Sequence, residues 1–208
     1  MSSKPKIMVS LRVNGADHEL AIRPAATLLD VLREELHLTG SHRGCDMGTC
    51  GCCTVLIDGK PLLSCLTLAA EVEGTEITTI EGLHEAEKLH PVQEAFLSSG
   101  GSQCGFCTPG FIMTSVALLR EHADPSEQEI REAISGNMCR CTGYVKIVDA
   151  VKKAAAELRG TRGSVEVPVG TGIRGRRNED GGDSVLGAFQ GRRPPRPAKK
   201  GDGGEGGK

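Results

Sequence analysis

Nine cysteines in a chain of 208 residues fall into two tight sets, and that grouping limits what the chain can fold into. The first set is Cys45-x4-Cys50-x2-Cys53, with Cys65 separated from Cys53 by eleven residues. The second is Cys104-x2-Cys107 with Cys139-x-Cys141, and Cys52 stands apart as a ninth thiol. There is no Trp, one Tyr and four Phe, so any core must be aliphatic and gains less from each buried side chain. Two small cores of that kind are marginal alone; a centre bound only in the folded state supplies folding energy. The N-terminal run MSSKPKIMVSLRV has neither an apolar signal core nor twin arginines, and no stretch approaches the ~20 apolar residues of a membrane span. The expectation is a cytoplasmic protein, where clustered thiols point to metal or redox chemistry rather than a disulfide scaffold.

Taken in order, Lys6 to Val13 alternates Ile7, Val9, Leu11 and Val13 with polar residues, which predicts a half-buried strand. Asn14-Gly15 is a hairpin dipeptide, with His18 to Ile22 returning. Thr27 caps a predicted helix with the apolar stripe Leu28, Leu29, Val31, Leu32 and Leu36. A hairpin followed by a helix suggests a β-grasp layout. The run from Gly40 to Cys53 carries no helix or strand period. Strand pattern resumes at Thr54–Ile57, turns at Asp58-Gly59, returns through Leu62 to Cys65, and recurs at Glu76–Ile80. Thereafter the pattern is helical. His90-Pro91 opens a helix to about Ser98. Thr108-Pro109 reads as N-cap and first residue of another. Asp124-Pro125-Ser126-Glu127 reads as a capping box, and a last helix runs from about Val145 to Leu158. Four helices with short loops predict a small four-helix bundle.

The fold class expected is therefore α+β in three parts: a β-grasp domain over 5–83, a helical domain over 84–159, and a low-complexity tail over 160–208. The tail holds 14 of the 28 glycines with Pro168, Pro194, Pro195 and Pro197, the composition of a disordered segment. Its ten Lys/Arg against six Asp/Glu give +4, which leaves −6 on residues 1–159 from the whole-chain −2. An acidic folded part almost without aromatics argues against nucleic-acid binding.

The x4-x2 triplet is the spacing of plant-type ferredoxins, whose four thiolates hold a [2Fe–2S] cluster. Bridging sulfides carry negative charge and need backbone N–H groups close by, which glycines permit. Gly44, Gly48 and Gly51 stand in this loop. A structural zinc site is the competing reading, but it favours two x2–x4 pairs. Cys52 is read as a non-ligand, because choosing it breaks the x2 spacing. In the second set, the one-residue gap of Cys139-x-Cys141 suits two thiolates facing one iron of a binuclear cluster, with zinc again the alternative. Cys107, at a predicted helix start, sits in a field that favours the thiolate. The six histidines show no paired spacing and read as surface or cap residues. There is no Gly-x-Gly-x-x-Gly strand–helix unit and no P-loop, so bond-making falls to a cofactor on another chain.

The runs GCDMGTCGCCTV with Cys65, QCGFCTPG and GNMCRCTGYVKIVDAV, in that order, resemble the small iron–sulfur subunits of the molybdenum hydroxylase (xanthine oxidase) family over about residues 5–158. Within it they are most similar to the small chains of carbon monoxide dehydrogenase and 4-hydroxybenzoyl-CoA reductase. The resemblance implies a ferredoxin-like domain ligated by Cys45, Cys50, Cys53 and Cys65, and a helical domain ligated by Cys104, Cys107, Cys139 and Cys141, each holding one [2Fe–2S] cluster. It implies a large subunit carrying a molybdopterin–molybdenum cofactor and a medium subunit carrying FAD, assembled as a dimer of heterotrimers. Electrons would pass from molybdenum to the helical-domain cluster, then to the other cluster, then to FAD; some members run the path in reverse. Gln103 and Cys141 would approach the pterin. An electron-transfer subunit of such an oxidoreductase is the reading preferred over a free-standing two-cluster carrier.

Overall fold

A computed structural model of the protein describes residues 5–84 and 88–160. Its first half is a five-stranded mixed sheet: β1 (Ile7–Val13), β2 (Ala16–Ile22), β3 (Thr54–Ile57), β4 (Lys60–Leu63) and β5 (Glu76–Thr78), in the order β2-β1-β5-β3-β4. Neighbours are antiparallel except β1 and β5, which run parallel. Asn14 and Gly15 both take left-handed φ (51° and 79°), as do Asp58 and Gly59 (48° and 79°). Consecutive positive φ values are what a two-residue hairpin needs to match strand twist. The alternation expected for β1 holds at Val9, Leu11 and Val13, which are buried, while Ile7 lies exposed at the strand's start.

Thr27 caps α1 as expected, its hydroxyl accepting from the N–H of Asp30. The helix is short, Leu28–Asp30, and widens into a π-type turn over Val31–Glu35. Leu28, Val31 and Leu32 pack under the sheet with Val9, Leu11, Val13, Val55, Ile57 and Ile77.

The second half carries α2 (Pro91–Ser98), α3 (Thr108–Glu121), α4 (Glu127–Ala133) and α5 (Val145–Gly160). Two caps differ from expectation by register. Cys107, already in a helical conformation (φ −88°, ψ −12°), is the N-cap of α3, so Thr108 is inside the helix and Pro109 is its second residue. The Thr108 hydroxyl instead donates to Ser102 Oγ. The capping box of α4 is Ser126 with Glu129, not Asp124 with Glu127, because Ser126 has the extended backbone a cap requires. The helices bury Phe96, Phe111, Met113, Ile130, Ile147 and Val151 in a second core.

These cores share a strand. All four residues of β3 are buried. Val55 and Ile57 enter the sheet–α1 core, whereas Leu56, on the opposite face, enters the helical core against α3. A strand covered on both faces reads as a continuous apolar run, which is the TVLI of the sequence. The arrangement is α+β: a mixed sheet with one helix under one face and helices over the other. The expected tail, 160–208, lies outside the described residues except for Gly160, the last residue of α5.

Candidate metal centres

The first thiol loop runs between the α1 turn and β3. Gly48 and Gly51 there adopt left-handed φ of 70° and 69°. The loop curls so that the Cys45 sulfur accepts from the Thr49 N–H at 3.3 Å, with the Thr49 hydroxyl at 3.9 Å. Backbone N–H groups of Met47, Thr49 and Cys50, together with the Cys50 side chain, pull the Cys45 thiol down to about 6. That is the donor cradle an anionic centre needs. Cys65 arrives from the end of β4. Ser64, buried beside it, bonds the Cys53 carbonyl through its hydroxyl at 2.7 Å and its N–H at 3.3 Å. Burial and the neighbouring Cys53 side chain push the Cys65 thiol up to about 12. Cys45 is thus set against Cys50, and Cys65 against Cys53.

The second set comes from two loops that meet at the start of α3 and before α5. Cys104 and Cys141 are exposed with sulfurs 3.6 Å apart; Cys107 is half-buried and Cys139 buried. Two thiolates on one tetrahedral metal at about 2.3 Å would be roughly 3.8 Å apart. The helix-start field expected to favour the Cys107 thiolate is outweighed: burial first, then contact with Cys139, pushes the thiol up to about 12. For Cys139, burial acts upward, but the Thr142 hydroxyl and N–H, with the Cys141 N–H and the Cys107 side chain, together hold the thiol below its usual value. The expectation that Cys139 and Cys141 face one iron is replaced by a crossed arrangement: Cys104 lies with Cys141, and Cys107 with Cys139. Each pair draws one thiol from each loop.

Among the described residues, no group of three or more His, Cys, Asp or Glu side chains closes around the position of a single ion. The thiols meet as pairs, two pairs to a set, and four thiols per set is the ligand complement of a [2Fe–2S] cluster. The donor sets therefore fit one such cluster each.

The two loops are bracketed together. Buried Asn137, two residues before Cys139, donates to the Gly51 carbonyl at 3.0 Å and accepts from the Thr114 hydroxyl at 2.9 Å. The Met138 N–H donates to the Cys50 carbonyl at 2.9 Å. His42 stacks on Phe106 with centroids 4.6 Å apart, and its Nδ1 lies 2.7 Å from the Phe106 carbonyl. Cys52 is buried in this bracket, its thiol raised to about 12 by burial and by Cys50. A small packed residue behind the loop is the role its position supports. Gln103 and Arg140 are exposed beside the second set. Of the histidines, His90 caps α2 and is buried. Asn137 and Thr142 were not separable from their neighbours by spacing, since an Asn or Thr beside a cysteine has no periodic signature.

A 2Fe-2S iron–sulfur cluster binding domain matches residues 11–79, and a [2Fe-2S] binding domain matches residues 79–152. The chain is 48% identical over 171 residues to the aldehyde oxidoreductase iron-sulfur-binding subunit PaoA of Escherichia coli strain K12, covering 74% of this chain and 75% of that protein. It is 46% identical over 149 residues to the nicotinate dehydrogenase small FeS subunit of Eubacterium barkeri, covering 72% of this chain and 95% of that one. The chain belongs to the small iron–sulfur subunits of the molybdenum hydroxylase family. The crystal structure of quinoline 2-oxidoreductase from Pseudomonas putida 86 agrees, with a TM-score of 0.72 at 45% identity over 76% of this chain and 99% of that one. As a member of that family the protein is an electron-transfer subunit of an oxidoreductase, with two [2Fe–2S]-binding regions of its own. The two matched domains bear out the two [2Fe–2S] clusters that the resemblance implies for this chain.

Proposed function

We propose that Cys45, Cys50, Cys53 and Cys65 ligate one [2Fe–2S] cluster and that Cys104, Cys107, Cys139 and Cys141 ligate the other. The clusters then supply one-electron relay between the molybdenum cofactor of a large partner subunit and the FAD of a medium one. The observation carrying this reading is the convergence of eight thiols into two sets of four, bracketed through Asn137 and the Gly51 carbonyl. This chain's residues hold the centres, give the thiolates hydrogen-bond donors and keep the two loops in register. The domain limits proposed are 5–83, a β-grasp ferredoxin-like unit, and 84–159, a four-helix unit; the strand order and the four helices support them.

The helical set is the one proposed to face the molybdenum cofactor, with Gln103 and Cys141 toward the pterin. Exposure supports this: Gln103, Cys104 and Cys141 are open, flanked by Phe106 at 47% and Met138 at 57% exposure, apolar residues a partner would cover. The other set, near exposed Met47 and Leu66, is proposed to face the flavin subunit. A dimer of heterotrimers is the assembly proposed. The cytoplasm is the proposed compartment, supported by clustered thiols that read as metal ligands rather than a disulfide scaffold; no described helix is long and apolar enough to cross a membrane.

Replacing Cys107 with Ser tests the assignment. The expected result is loss of one [2Fe–2S] signal and of turnover, with the second signal intact on reduction. Two unchanged signals would remove Cys107 from the ligand set.

A further inference from the structure

Of the four thiols in the helical set, Cys139 alone is buried. A buried thiolate is costly unless donors compensate it, and one turn supplies them. Thr142 donates to the Cys139 sulfur twice, through its hydroxyl at 3.0 Å and its N–H at 3.4 Å. The Tyr144 N–H donates to the Thr142 oxygen at 3.2 Å, which leaves the hydroxyl proton directed at the sulfur.

The turn is held in an unusual conformation to do this. Gly143 and Tyr144 are both left-handed, at φ 63° and 69°. A tyrosine there is a costly choice, and such strain persists only where surrounding contacts enforce it. Here they do. The Tyr144 hydroxyl accepts from the Cys139 N–H at 3.0 Å and donates to the Asn137 carbonyl at 3.4 Å, and its ring packs edge-on against Phe111 at 5.9 Å. The sheet-side centre has a weaker counterpart, since the Thr49 hydroxyl stands 3.9 Å from Cys45.

We propose that Thr142 is a potential-setting residue: its hydroxyl bond to Cys139, locked by the Tyr144 turn, raises the reduction potential of the helical-domain cluster. Hydrogen bonds to cluster sulfurs are among the protein's levers on potential. A donor stabilises the added negative charge of the reduced state more than the oxidised state. The inference rests on the ligand assignment above.

The test is potentiometric titration of both clusters in the assembled complex, followed by electron paramagnetic resonance. In Thr142→Val the partition of an electron between the clusters should move about tenfold away from the helical one. That equals a fall of about 59 mV for a one-electron couple, confined to that cluster. Thr142→Ala should match it, and Thr142→Ser should restore the parent value. Unmoved potentials, equal shifts in both clusters, or loss of the helical cluster in both Val and Ala variants would overturn the proposal. Failure of the underlying assignment looks different: the parent protein itself would then lack two distinguishable cluster signals.

Discussion

Gly110, one turn into α3, lies so close to the first thiol loop that an added Cβ would overlap the Gly51 carbonyl and crowd the Cys52 Cα at 3.1 Å. Gly51 is constrained from the other side. Its φ is +69°, and a Cβ there would come within 2.5 Å of Asn137 Nδ2 and the Gly136 carbonyl. These contacts decide how near the two centres sit. Gly110→Ala should cost about 1–3 kcal/mol, as overpacking does, and perturb both cluster signals together. Gly136→Ala, where nothing lies within 4 Å, should stay within about 0.5 kcal/mol of the parent. Equal effects in a thermal-melt comparison would show that the close approach is not a constraint. The proposed ligands are legible in the sequence because thiols at fixed gaps are rare. Residues that bracket are not. Gly51 was visible as a loop glycine, but its partners Asn137 and Gly110 are 86 and 59 positions away, and no local pattern reports such a distance.

Helix starts carry the thiols into place, and their chemistry is only partly local. The His90-Pro91 start of α2 reads directly from sequence, since a cap followed by proline has a steric reason. The α3 cap moved by one residue, because the loop bringing Cys107 toward Cys139 already has helical dihedrals at Cys107. Tertiary pairing overrode a good local capping signal. The π-type turn after α1 has no such sequence signature at all.

His90 gives this level its measurable consequence. Buried to 6% exposure, it accepts from the Val92 N–H at 3.2 Å through Nδ1, and burial, then the charge of Arg120, lowers its pKa to about 4. A proton on Nδ1 would end the cap. With the folded pKa below the ordinary 6.5, the native state binds fewer protons than the unfolded chain between the two values. The stabilisation is complete above pH ~6.5 and is lost as pH falls toward 4, amounting to a few kcal/mol at most. His90→Asn keeps a capping oxygen without the titration. Denaturant midpoints at pH 7 and pH 4.5 should therefore draw apart less in the variant than in the parent, and an equal separation would contradict the role.

For the molecule as a whole, the α+β order of hairpin, helix, thiol loop and helices followed from hydrophobic period and turn residues, and the three cysteine runs carried the family. The sharing of β3 between two cores did not follow, because a four-residue apolar strand looks the same whether one face or both are covered. Nor did the crossed thiol pairing, which depends on how two loops meet. Both features tie the halves together, with Leu56 in the helical core and Asn137 on the Gly51 carbonyl. The frame is proposed to hold two separate clusters on eight thiols. Iron and acid-labile sulfide analysis joined to electron paramagnetic resonance of the reduced complex tests it most directly. The expected result is about four irons and four sulfides per copy of this chain, with two distinguishable [2Fe–2S] signals in equal amounts. Zinc without sulfide, or a single cluster signal at half that iron content, would contradict it.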